Sequence, residues 1–152
     1  MSAVDVAPSR GRLAPAECIF CQLVAGDLPC HQVYADAAAI AFLDARPASP
    51  GHTLVVPRRH VEHLWDGDAR SFAAVAETVH AVAALLRERL RPDGLTMRQN
   101  TGAASGQDVF HLHVHLVPRW HGDGHIGWPN RPDPAPDPHE ILRQLIDPSS
   151  IR

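Results

Sequence analysis

Residues 110–120 read FHLHVHLVPRW, with histidines at 111, 113 and 115 and one aliphatic residue, Leu112 or Val114, in each gap. On a β-strand, residues two apart share a face and lie about 6.5–7 Å from one another, whereas a helix would scatter them around its axis. The spacing therefore predicts a strand carrying His111, His113 and His115 on one surface, with Leu112, Val114 and Leu116 in the core. An imidazole is costly to bury without a partner, so three in register imply a chemical task. Two tasks fit. Neutral imidazoles bind metal, as in three-histidine zinc sites. Alternatively, one imidazole attacks while its neighbours orient it or stabilise charge, and a phosphoryl group is a natural target near pH 7. The preceding NTGAASGQDVF, residues 100–110, supplies Asn100, Gln107, Gly106 and loop amides. Such donors suit phosphate and favour the second task.

Working outward, AIAFLDARPASPGHTLVVPRRHV (residues 39–61) reads as two strands, 39–43 and 52–57, joined by a turn rich in proline and glycine. Pro57 should end the second, because proline supplies no ladder donor. An earlier strand is expected at 30–35 and a later one at 94–101. Between them, DARSFAAVAETVHAVAALLRERL (residues 68–90) repeats apolar residues at Phe72, Val75, Val79, Val82, Leu86 and Leu90. That is the spacing of one buried helical face. Asp68 or Ser71 can cap its start, and Pro92 and Gly94 stop it. The order of elements predicts an α+β fold, an antiparallel sheet of about five strands with one long helix and a short C-terminal helix.

The 152 residues suit one domain, with 45% hydrophobic and 20% charged residues. A net charge of -3 offers no basic footprint, so no nucleic acid and no membrane partner is expected. No stretch reads as approaching the roughly 20 apolar residues of a membrane span. Residues 1–16 lack the apolar core of a secretory signal and read as a disordered leader. Residues 17–129 read as the domain, and 130–152 as a proline-rich tail with a short helix. Three cysteines, two of them in Cys18-x-x-Cys21, suit a reducing, cytoplasmic setting and metal binding better than a disulfide framework.

The chain resembles the histidine triad (HIT) superfamily, whose signature alternates three histidines with apolar residues. HLHVHLV, residues 111–117, fits it at every position. The resemblance covers nearly all of residues 17–129 and is nearest the small purine-nucleotide hydrolases of the Hint and bacterial branch. It implies a HIT-like fold and a homodimer paired through the long helix and the GLTMRQN strand. It also implies that His113 attacks the α-phosphorus of a purine nucleotide substrate, giving a nucleotidyl-histidine. His115 would bind a phosphate oxygen, and His111 would hold the nucleophile's tautomer. Asn100 and Gln107 would contact phosphate, Asp44 the ribose hydroxyls, and Phe20, Phe42 and Leu43 the base. Relatives with this Cys-x-x-Cys complete a structural zinc site with the equivalents of His60 and His111, so Cys18, Cys21, His60 and His111 are the expected ligands, with no organic cofactor.

Asp108 departs from members that carry serine or threonine there and favours a phosphoramidate. PRW, residues 118–120, resembles relatives that cleave dinucleoside polyphosphates. A dinucleoside polyphosphate hydrolase and a non-catalytic nucleotide-binding scaffold or signalling protein therefore stand as alternatives to a phosphoramidase. Trp120 and Trp128 are specificity candidates. Cys30 reads as a packed residue, and His31 and His139 as surface residues.

Overall fold

The structure, a computed structural model, describes residues 15–124 and 134–147. Most of the expected leader, together with Trp128, lies outside these residues. Five strands form one antiparallel sheet: β1 (Gln32–Ala35), β2 (Ala39–Leu43), β3 (Thr53–Pro57), β4 (Gly94–Gln99) and β5 (Val114–Arg119). Their spatial order is β1-β2-β3-β5-β4, so the histidine-bearing strand sits between β3 and β4. Three α-helices join them: α1 (Ile19–Ala25), α2 (Ala69–Leu90) and α3 (Pro138–Ile146). This is the predicted α+β class.

The two sheet faces hold different residues because strand side chains alternate. Ala39, Ala41, Leu43, Val55, Val114 and Leu116 face α2, where Val75, Val79, Val82 and Leu86 bury against them. Ile40, Phe42, Leu54 and Val56 face the other way and pack with Phe20 of α1 and with Cys18. Asp68 caps α2 by accepting from the Ser71 amide, which satisfies one of the helix's orphan donors. By length and composition α2 would also qualify as a membrane span, contrary to the expectation that no stretch would. In the fold its apolar stripe is turned onto the sheet.

Asp36, in the β1–β2 turn, ties that turn to α2. Its carboxylate accepts from the Ala38 and Ala39 amides at 2.8 and 3.0 Å and from the Thr78 hydroxyl at 2.6 Å. Partial burial alone would raise this carboxyl. The hydrogen bonds and the charge of Arg58 outweigh it and hold Asp36 below the usual carboxylate value.

One expectation fails in an informative way. Only His115 lies in the β5 ladder, which pairs with β3 through Val55–Val114, Leu54–His115 and Thr53–Leu116. Continued, the register would bring Leu112 opposite Pro57, which has no N–H to give. The Leu112 amide instead donates to the Val61 carbonyl at 2.7 Å. Residues 111–113 thus leave the sheet and lie against the loop that follows β3.

Candidate active site and metal-ligand cluster

That departure gives the three histidines different surroundings. The His111 ring is fully buried and 4.9 Å, centroid to centroid, from His60. His113 and His115 stay together, their rings 5.0 Å apart, and both line a cavity of about 690 Å³. Phe20 stands with its ring at a steep angle to both His111 and His113, at 6.0 and 5.2 Å, and separates the two environments.

The hydrogen bonds define which ring nitrogens carry protons. A carbonyl oxygen only accepts, so the 2.8 Å contact from His113 Nδ1 to the His111 carbonyl is an N–H donation. The neutral His113 ring then keeps its lone pair on Nε2. His111 thus sets the His113 tautomer through its backbone carbonyl rather than its ring. His111 Nε2 likewise donates to the Pro57 carbonyl at 2.8 Å, which leaves its Nδ1 lone pair directed at the cysteines.

His115 is set by a residue whose role was open at the sequence level. His52 Nδ1 accepts from the Ala48 amide at 3.0 Å, so its proton sits on Nε2. That Nε2 lies 2.9 Å from His115 Nδ1 and donates to it, so His115 presents an Nε2–H. Burial, followed by the neighbouring charges of His113 and His52, lowers the His115 pKa to about 4. His115 therefore enters as a neutral donor, not as the imidazolium that would neutralise phosphate by charge. Gly51 positions His52: its φ is +81° and an added Cβ would overlap the Leu90 side chain, so glycine is required. The sequence carried a faint signal for His52, a histidine opening an otherwise apolar strand.

The strand register lays out the cavity floor. Arg98, His115, Leu54 and Phe42 are successive cross-strand partners on one face. Phe20, Phe42, Leu43 and Asp44 all line the cavity, as expected. One Asp44 oxygen accepts from the Arg46 amide at 2.7 Å, and the other lies 3.6 Å from His52 Nε2. Asn100 lines a smaller adjoining recess of about 200 Å³ with Arg46, Arg98, Asp108 and His115. Its side chain accepts from Arg98 at 2.9 Å and donates to the Ser105 carbonyl.

Gln107 is a correction. Its buried amide donates to the Glu62 and Val109 carbonyls at 2.7 and 3.0 Å and accepts from the Gly102 amide at 2.7 Å. With both ends engaged, it braces the loop instead of facing a phosphate. Arg119 is held by Asp123 at 2.7 Å and also donates to Thr96.

Cys18, Cys21, His60 and His111 bring one ligand atom each within 4.8 Å of one another. Cys18 Sγ is 3.4 Å from His111 Nδ1, and Cys21 Sγ is 3.2 Å from His60 Nδ1 and 3.5 Å from His111 Nδ1. Tetrahedral zinc, with Zn–S near 2.3 Å and Zn–N near 2.0 Å, sets sulfur and nitrogen about 3.5 Å apart. The cluster has that geometry. The Pro57 carbonyl supplies the outer hydrogen bond that orients a ligating imidazole. Burial and the adjacent Cys18 push the Cys21 thiol up to about 11, so a cation bound here must displace its proton, and loading falls as pH falls.

A sheet with a histidine-lined cavity on one face and a two-cysteine, two-histidine cluster beside it defines a class of small α+β proteins. The HIT domain family profile matches residues 25–122, and the chain belongs to the HIT family. It is 40% identical over 108 residues to Protein hit of Bacillus subtilis, covering 70% of this chain and 74% of that one. It is 33% identical over 103 residues to adenylylsulfatase HINT3 of Arabidopsis thaliana, covering 68% of this chain and 52% of that one. A zinc-bound histidine triad family protein from Mycobacterium smegmatis superposes with a TM-score of 0.79 at 35% identity, covering 91% and 95% of the two chains.

Proposed function

We propose that this protein is a nucleotide hydrolase that cleaves a purine nucleoside phosphoramidate or phosphoanhydride at the α-phosphorus through His113. The observation that carries this reading is the donation of His113 Nδ1–H to the His111 carbonyl, which reserves the Nε2 lone pair in a cavity of mononucleotide size. Nε2 attacks phosphorus and the bond to the leaving group breaks. The leaving group takes its proton from solvent, His115 keeps its Nε2–H as a hydrogen bond to a phosphate oxygen, and Nδ1–H remains on the carbonyl as the His113 ring becomes a nucleotidyl-imidazolium. Water then attacks phosphorus, the P–Nε2 bond breaks and restores the neutral His113 ring, and the water's proton passes to solvent as the nucleoside monophosphate leaves. Asp44, an acceptor, suits the ribose diol, while Phe20, Phe42 and Leu43 give the base an apolar surface. The plant relative's name, an adenylylsulfatase, supports hydrolysis of an adenylyl compound.

Cys18, Cys21, His60 and His111 would hold a structural zinc ion, a reading supported by the tetrahedral spacing and by the zinc-bound mycobacterial relative. Bound there, the ion would fix the His111 backbone that orients His113. Thiol ligands also fit a reducing compartment such as the cytoplasm. For the homodimer, support comes from β4, an edge strand whose Leu95 and Met97 are 38% and 65% exposed. The test is turnover of adenosine 5′-phosphoramidate and diadenosine polyphosphates by the protein and by His113→Ala. Loss of turnover with retained AMP binding is expected. Equal turnover by the variant would end the proposal, and AMP binding without turnover of either substrate would favour a non-catalytic nucleotide-binding protein.

A further inference from the structure

The family match ends at residue 122, yet the cavity does not. Ala135, Pro136, Pro138 and Ile141 line it together with Ile19 and Leu23 of α1. We infer that residues 135–141 form the base-discriminating wall of the cavity, closing an apolar slot that takes a purine ring. The inference rests on the nucleotide reading above and adds to it the element that selects the base.

Three features carry it. The wall is anchored. Ile141 and Leu145 of α3 are buried in the same core as Val33, Val79, Val82 and Leu86, and Arg89 donates to the Asp147 carbonyl at 2.7 Å. An element fixed at that many points is a rigid surface rather than a flap. The wall is also apolar. Its two prolines have no N–H to offer; of the two carboxylates in this stretch, Asp137 is engaged in capping α3 by accepting from the His139 amide at 2.9 Å, and Glu140 is exposed and does not line the cavity. A slot between such a wall and the aliphatic side chains of α1 selects by the flat apolar area it covers, which ranks purines above pyrimidines.

Finally, the slot has a polar corner. His31 lines the cavity and packs its ring at 83° against His139 of α3, with centroids 4.7 Å apart. Both were expected to be surface residues, and His139 is exposed. His31, steadied by that ring contact, places a polar ring in the cavity lining, where the edge of a base would lie. The phosphate chemistry and the base wall therefore come from different parts of the chain. Base preference can change with residues 135–141 while His113 and His115 stay as they are.

The test compares AMP with ribose 5-phosphate, the same sugar phosphate without a base, by titration calorimetry on the full chain. AMP should bind at least about tenfold more tightly, and GMP should match AMP more nearly than CMP does. Pro136→Asp should bring AMP to within about threefold of ribose 5-phosphate and leave ribose 5-phosphate itself unchanged. Ala135→Trp, which adds bulk to the same wall and leaves the anchoring residues Ile141 and Leu145 unaltered, should do the same and serves if Pro136→Asp fails to fold. If AMP binds and both folded variants keep the full advantage of the base, this inference is wrong and the nucleotide reading survives. If neither AMP nor ribose 5-phosphate binds the unaltered protein, the nucleotide reading fails and takes this inference with it.

Discussion

Replacing His52 with phenylalanine isolates the device that sets His115. The substitution keeps a ring of similar size at a position only 2% exposed, so the cavity term is small. It removes the acceptor of the Ala48 amide and the donor to His115 Nδ1. Leaving two buried polar groups without these partners costs about 1–3 kcal/mol each, or about 2–6 kcal/mol together. For a chain of this size that lowers the melting temperature by roughly 4–24 °C. The larger effect is on chemistry. With no donor at Nδ1, His115 is free to carry its proton on the wrong nitrogen, and the reacting phosphate loses a preorganised donor, a loss of about 10²–10³ in kcat. KM should change much less, because both ring nitrogens of His52 are engaged with Ala48 and His115. His52→Gln offers both an acceptor and a donor and should recover part of the rate. Steady-state kinetics and thermal melts on the three proteins decide it. A kcat for His52→Phe within about threefold of the unaltered protein would refute the relay.

Other expected outcomes follow from the same structure. Metal analysis should find one zinc per chain, lost in Cys21→Ser, whose melting temperature should no longer respond to a chelator. A chelator-insensitive melt of the unaltered protein would contradict the metal assignment. Burial holds the folded His115 pKa at about 4, below its ordinary 6.5. The unfolded chain thus binds a proton that the folded chain refuses, and His115's contribution makes stability fall as pH drops from about 6.5 toward 4. His115→Gln should flatten that slope, and an unchanged slope would argue against burial as the cause. Asp36→Ala loses two hydrogen bonds within the β1–β2 turn and one from the turn to α2 and should cost about 3 kcal/mol in denaturant unfolding. Because the folded Asp36 pKa is depressed, its contribution is present above the unfolded value and is lost as pH falls through the folded one. The difference from the variant should therefore shrink below about pH 4.

What could be read from the chain depended on how local the cause was. The limits of β2 follow from a short apolar run bounded by turn residues, and the start of α2 from three-four spacing and the Asp68 cap, all of which act within a few residues. The late start of β5 at Val114 depends on Pro57 across the sheet, so the histidine pattern alone overstated the strand. His52 and Gln107 show the same limit in opposite directions. One gains a role from His115, 63 positions away, and the other loses its expected role to the Glu62, Val109 and Gly102 backbones. The pairing of His31 with His139 needs the α3 docking, which no short-range pattern signals.

The most direct measurement is to quench a reaction with adenosine 5′-phosphoramidate during turnover and map the labelled peptide by mass spectrometry. The adenylyl group should be found on His113, with none in His113→Ala. An adduct on His111 or His115, or steady turnover with no covalent adduct, would contradict attack by Nε2 of His113.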